Sequence, residues 1–294
     1  MPPLQHILAA TDLSAPARRA AERAALLGKE TAASLDLLHV ANLAPLERLR
    51  QFMAATPDAL RQRVLDAARH RLQELADTLQ KRYGVTAGLH LATGVLTTEV
   101  ARQARDLAAD VLVCGARGES AVRHLLLGTT ALRVLSTTPC PVLVVKQAPH
   151  EPYRRVLVPV DFSAHSLRAI AQARRIAPAA EVVLLHAFEV PFEGHLRYAS
   201  VDEDTISHYR VVARQEATER LEALRQAAGL APETCHTLVQ HGDAAVRIID
   251  QEQEQDCDLI VMGKHGESAL ENLLLGSVTK HVLAESQSDI LVSV

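Results

Sequence analysis

Two phrases of this sequence have the residue types and spacing to hold an anion. GARGESAVRHLLLGT begins at Gly115 and GKHGESALENLLLGS at Gly263, 148 residues later. Each reads glycine, two residues, glycine, nine residues, glycine, then a small hydroxyl residue. Glycines in such a loop tolerate positive φ and let backbone N–H groups come close to an oxyanion. Gly115 and Gly118 open the first loop, Gly263 and Gly266 the second; Gly128–Thr129 and Gly276–Ser277 close them and can present further donors. A helix N-terminus near that anion adds a favourable dipole. The loops are not Walker A, because G-x-x-x-x-G-K-S/T is absent and Lys264 stands outside that context; nor are they the G-x-G-x-x-G fingerprint. Strand-to-helix turns favour glycine for their own sake. Two copies at one spacing, each with an acid of its own, favour the site.

Those acids are Asp12 and Asp161, which follow HILAAT and RVLVPV at positions 149 apart. LDLLHV and VVLLHA, then Gly94 and Gly242, then ADVLVCG and CDLIVMG repeat in the same order, with offsets of 147 or 148. The chain is therefore a tandem duplication, with repeats at 1–148 and 153–294 joined by the proline-bearing seam QAPHEPYR. Apolar runs of strand length alternate with segments of helical period. The first repeat is expected to place strands near 5–10, 34–40, 86–92, 110–115 and 141–146, with helices over 14–32, 57–83, 95–108 and 119–137. The second places strands near 154–160, 181–187, 234–240, 257–263 and 289–294. Ser14 and Ser163 stand where an N-cap closes the first helix. DVLVCG and DLIVMG do not alternate in polarity, as expected of strands covered on both faces. The fold class is α/β, with two tandem doubly wound five-stranded parallel-sheet domains. In such sheets the turn after strand 1 and the loop after strand 4 emerge at one crevice beyond the strand ends.

Bulk properties narrow the function. A 48% apolar and 22% charged chain of formal charge −4, without a long Lys/Arg block, is not a dedicated nucleic-acid binder. Cys114, Cys140, Cys235 and Cys257 have no C-x-x-C spacing, which indicates a reducing compartment. No apolar run has membrane-spanning length and no signal pattern opens the chain, so a cytoplasmic location without membrane contact is expected. The fourteen histidines show no zinc spacing, and His236 and His241 are expected to be structural or exposed. His39 and His186 match between repeats, as sheet-edge residues or as shapers of the pocket. No elbow, zincin or kinase motif supplies a catalytic set. Arg117 and Lys264 hold similar loop neighbourhoods, and His265 is a weak candidate base. Half of the eight aromatic residues fall between Phe188 and Tyr209, as a packed loop, a lid or a second pocket. Leu43, Leu46, Leu49 and Met53 form its counterpart.

The glycine pattern, the acid turns and the closing run PVLVVK from Pro141 resemble the universal stress protein family over the whole chain, as two tandem domains. Nucleotide-binding members carry G-x2-G-x9-G-S/T, matched in both repeats, and an Asp in a V-x-x-D-x-S-like turn, matched by VPVDFS and AATDLS. The resemblance implies a fold like the adenine-nucleotide alpha hydrolases, with flavodoxin-like layering. It implies ATP with Mg²⁺, in a stress-response sensor or regulator. The alternatives are a slow ATPase or autophosphorylating enzyme, and a scaffold or ligand-binding module that has lost nucleotide use. By that likeness Asp12 and Asp161 approach the ribose side, and Ala10, Thr11, Pro159 and Val160 belong to the same nucleotide site. Val40 and Ala187 border adenine. Gly115, Gly118, Gly128 and Thr129 take the phosphates in one repeat, and Gly263, Gly266, Gly276, Ser277 and Val278 in the other. Pairing of domains along the last strand is implied too, satisfied within one chain or in a homodimer, together with a protein partner that the sequence does not identify. Two departures stand out: AATD replaces a proline-bearing VPxD in the first repeat, and SQSDILVSV closes the second.

Overall fold

Each apolar run becomes a strand and each long periodic segment a helix in the computed structural model, which describes residues 2–44, 57–116, 128–190, 193, 198–199, 201–264 and 275–294. The chain divides into two compact units, Pro2–Pro152 and Tyr153–Ser293.

The first unit runs β1 (His6–Ala10), α1 (Ala15–Thr31), β2 (Ser34–Ala41), α2 (Pro57–Tyr83), β3 (Ala87–Thr93), α3 (Leu96–Asp106), β4 (Val111–Gly115), α4 (Thr129–Thr137) and β5 (Val142–Val145). Its strands lie in the order β3-β2-β1-β4-β5, every pair parallel. The second unit repeats the plan with β6 (Arg155–Pro159), α5 (Ala164–Ile176), β7 (Glu181–Phe188), α6 (Glu203–Ala227), β8 (Cys235–His241), α7 (Ala244–Glu254), β9 (Leu259–Gly263), α8 (Ser277–Glu285) and β10 (Asp289–Ser293). Its order is β8-β7-β6-β9-β10, again parallel throughout.

The core explains the unalternating strand sequences. Val111, Leu112 and Val113 of β4 and Leu259, Ile260 and Val261 of β9 are at most 1% exposed. In the first unit α1 packs with α2 and α3 with α4, and in the second α7 packs with α8, the layering a doubly wound sheet needs. Burying each such side chain stabilises by about 1.5–3 kcal/mol.

Two local features differ from the sequence-based expectation. A helix over 119–137 does not pass Gly128, whose ψ of 147° is extended, so α4 starts at Thr129; residues 117–127 lie outside the described set. Ser14 caps α1 by accepting the Ala17 amide at 3.4 Å. Ser163 holds the matching position without capping α5, because its hydroxyl donates to Asp161 at 2.6 Å.

Candidate functional site

The strand order sets the place of the site. β1 has β2 on one side and β4 on the other, so the winding reverses between β1 and β4, and likewise between β6 and β9. Thr11–Asp12 leaves β1 and Ala116 follows β4 at that reversal; Val160–Asp161 and Lys264 do so in the second unit. Ala10 and Pro159 are the last residues of their strands, and Val40 and Ala187 the last but one of β2 and β7, level with Ala92 and Gln240. The carboxyl edge of each sheet thus gathers the described candidates. Gly118 and Gly266 lie outside the described residues, as do Arg117, His265, Phe192, Leu46, Leu49 and Met53.

Each acid turn contains a bulky residue in the left-handed region, Leu13 at φ 65° and Phe162 at φ 63°. That conformation costs roughly 1–2 kcal/mol and persists only when neighbours hold it. Several do. The Thr11 amide donates to the Leu38 carbonyl at 2.9 Å, and the Val160 amide to the Leu185 carbonyl at 2.8 Å. His39 Nδ1 donates to the Thr11 carbonyl at 2.8 Å, and His186 Nδ1 to the Val160 carbonyl at 2.7 Å. A carbonyl only accepts, so both rings carry the proton on Nδ1. Burial pushes the His186 pKa down despite that bond, which keeps the ring neutral. These histidines tie the acid turn to the neighbouring strand.

The two acids differ in strength of attachment. Asp12 is exposed and accepts the Ser14 amide at 2.9 Å. Asp161 accepts the Ser163 amide at 3.0 Å, the Ser163 hydroxyl at 2.6 Å and the Ser166 hydroxyl at 2.7 Å. Burial pulls its carboxyl up, but these donors outweigh burial and hold it below the usual range. The AATD departure has a local consequence: the Thr11 hydroxyl accepts the Leu13 amide at 3.0 Å, which Val160 cannot do.

An arginine from the long helix completes each turn, and the glycine and acid motifs did not point to it. Arg71 of α2 donates to the Leu13 carbonyl at 3.2 Å. Arg220 of α6 lies 4.1 Å over the Phe162 ring, which itself meets the His186 ring at 4.4 Å. The signal was present in RLQEL and RLEAL, which begin at Arg71 and Arg220, 149 apart.

The glycine loops are pinched closed in the same way. Gly128 donates to the Ala116 carbonyl at 2.9 Å, and Gly276 to the Lys264 carbonyl at 3.0 Å. The amides of Ala116 and Lys264 bond the last strands, at Val145 (2.9 Å) and Ser293 (2.8 Å). Lys264 is therefore in register with Ala116, not with Arg117 as its neighbourhood suggested. It is buried, which pulls its pKa below that of ordinary lysine. Gly128 and Gly276 are the N-caps of α4 and α8 and supply no side-chain bond to the first turn. The first intrahelical bonds made to these caps come from Leu132 at 3.3 Å and Lys280 at 3.0 Å. The amides of residues 129–131 and 277–279 thus have no partner within their helices. A helix start capped by glycine at the loop's closure is a fitting place for an external oxyanion.

The remaining candidates fall away from this edge chemistry. Tyr198 is 92% exposed and Tyr209 is also exposed, so neither forms an apolar pocket; Phe188 is buried against His241. His241 pairs with Glu193 at 3.0 Å. Among the described residues no group of three His, Cys, Asp or Glu is placed to hold a metal ion, and no helix is long and apolar enough to cross a membrane.

Fold and site together define a tandem, doubly wound α/β chain with a glycine loop and an acid turn at each sheet's switch point. The universal stress protein family model matches residues 3–146 and 152–293, and the chain belongs to that family. It is 28% identical over 239 residues to a universal stress protein of Mycolicibacterium smegmatis, covering 76% of both chains. It is 32% identical over 143 residues to one from Methanocaldococcus jannaschii, covering 48% of this chain and 81% of that one. A crystal structure of a universal stress protein from Archaeoglobus fulgidus superposes with a TM-score of 0.70 at 21% identity, covering 98% of this chain and 97% of the other.

Proposed function

We propose that this universal stress protein binds an adenine nucleotide, ATP with Mg²⁺, in each repeat and acts as a nucleotide-occupied regulator. The observation that carries the reading is the glycine-capped start of α4 and α8, which leaves first-turn amides for an outside acceptor at the switch point. Gly115, Gly128 and Thr129 would hold the phosphates in the first repeat, and Gly263, Gly276, Ser277 and Val278 in the second. Gly118 and Gly266 join them by their place in the motif. Asp12 and Asp161 would face the ribose, and Val40 and Ala187 the base. Ala10, Thr11, Pro159 and Val160 form the wall between them. The magnesium ion would neutralise the nucleotide's own phosphates. This chain's part is orientation: His39, His186, Arg71 and Arg220 fix the acid turns before the ligand arrives.

A cytoplasmic setting belongs to the same reading, supported by four buried free cysteines. The function is regulatory, with occupancy altering the surface offered to a partner protein. Chromatography of the acid-released contents of freshly purified chain tests it. Co-purified ATP or ADP supports the reading; no nucleotide, together with no ATP affinity by calorimetry, refutes it. A slow ATPase would instead show steady phosphate release abolished by Asp161→Ala.

A further inference from the structure

The opposite, amino-terminal edge of the second sheet has a cleft of about 500 Å³ walled by Arg155, Glu222, Arg225, His236 and Thr237. Arg155 starts two residues into the unit, at the first position of β6, and Arg225 lies near the end of α6. Both guanidiniums are held rigidly. Arg155 donates from Nε (3.1 Å) and Nη2 (2.8 Å) to Glu181 and from Nη1 to the Gln255 carbonyl (2.6 Å). Arg225, 7% exposed, donates from Nε to Glu222 at 2.9 Å, and its two terminal nitrogens bond Glu222 and the Leu230 carbonyl. A guanidinium carries five N–H groups in a fixed fork, so each still has donors to give.

The carboxylate in the cleft wall, Glu222, is engaged by its neighbours. Glu222 Oε2 takes Arg225 Nε, and Oε1 takes both Arg225 and Gln226, the latter at 3.1 Å. The Thr237 hydroxyl and the His236 ring have no hydrogen-bond partner among the described residues. β8 is also the sheet's edge. Its ladder to β7 uses the Thr234 carbonyl and the Gly242 amide, so by strand alternation the amides of Cys235 and Thr237, with their carbonyls, point outward. The carboxylates at the cleft, Glu222 and the Glu181 that holds Arg155, are taken up by its arginines, so guanidinium and amide N–H donors remain for a ligand.

Among its described residues the first repeat carries different chemistry at these positions. Ala76 and Gln73 stand at the positions of Arg225 and Glu222, counted from the aligned Arg71 and Arg220. Asp36 fills the space instead, bonded to His6 and to His90 (2.7 Å), against a Gly88 whose added Cβ would overlap that carboxylate. The cleft is therefore not a by-product of the duplication, and it lies at the far end of the strands from the glycine loop.

We infer that this cleft is a separate binding site for a small oxyanionic ligand, a carboxylate or phosphate compound, unique to the second repeat. Fixed guanidinium donors and outward amides are the groups that recognise such ligands. Calorimetric titration of the full chain with inorganic phosphate and, separately, citrate tests it, with ADP present throughout. The expected result is one site per chain for at least one probe, and which probe binds identifies the ligand class. Thr237→Glu and His236→Glu, on the exposed strand edge, place a like charge in the cleft and weaken that binding by about tenfold or more. Val211→Glu, which adds the same charge on exposed α6 surface, leaves it unchanged. Two results overturn the inference: no binding of either probe up to about 10 mM, or binding indifferent to both cleft variants.

Discussion

Asp161→Ala and Asp12→Ala remove the same side chain from equivalent turns, yet their costs should differ. Asp161 Oδ1 takes three donors, two hydroxyls and an amide, whereas Asp12 Oδ1 takes the Ser14 amide. Bonds to a charged acceptor stabilise by about 1.5–3 kcal/mol each. Three bonds converging on one half-buried oxygen do not add, so the expected loss at Asp161 is about 2–3 kcal/mol in total. For exposed Asp12, where solvent screens and replaces the Ser14 bond, it is about 1 kcal/mol or less. Asp161→Ala also leaves the buried Ser166 hydroxyl without its acceptor and slackens the turn that holds Phe162 at φ 63°. Urea unfolding of the full chain, followed by circular dichroism and fitted with one transition per unit, reads both effects. pH supplies an independent sign. The folded pKa of Asp161 lies below the ordinary 3.8. Its stabilisation is therefore complete above that value and is lost as pH falls through the folded pKa. Asp161→Asn should flatten the acid limb of the stability profile. Equal losses for the two alanine variants, or an unchanged acid limb, would refute the reasoning from hydrogen-bond number.

Burial pushes the thiols of Cys114 and Cys257 up to about 12 and those of Cys140 and Cys235 to about 11. An aromatic disulfide reagent at pH 8 should therefore titrate essentially none in the native chain and all four after denaturation; rapid native reaction of any one would contradict that burial. Gly88→Ala forces a Cβ into the Asp36 carboxylate and should lower stability by about 1–3 kcal/mol, whereas a neutral result in thermal unfolding would show that the His6–Asp36–His90 cluster yields easily. Val95 starts α3 without a capping bond, while Asp243 caps α7 through the Val246 amide at 3.0 Å. Val95→Asp should raise the melting temperature, worth about 1 kcal/mol, and a fall would contradict the capping argument.

Much of this was legible because the chain states each half twice. Doubly covered strands such as VLVCG and LIVMG declare themselves by unbroken apolar runs, and the offset of 148 aligns the loops. Local hydrogen-bond choices were less readable. Ser163 has the type and position of a cap, but a neighbouring carboxylate competes for its hydroxyl. Gly128 breaks a segment whose helical period runs straight through it, since periodicity registers faces and not the backbone angle of one residue. Arg71 and Arg220 reach the site from the middle of long helices, so no local motif joins them to the acid turns. The amino-edge cleft depends on residues from β6, α6 and β8 that come together only in three dimensions.

In the proposed function glycine-capped helix starts hold the phosphate oxygens, and one substitution addresses that without harming the helix. Gly128 and Gly276 have φ of −74° and −58°, which any residue adopts. Aspartate there would cap the first-turn amides itself and repel phosphate. Calorimetry with Mg-ATP should find two sites in the native chain, one in Gly128→Asp or Gly276→Asp, and none in the double variant. Undiminished ATP binding by a well-folded double variant would contradict phosphate capture at the glycine-capped helix starts.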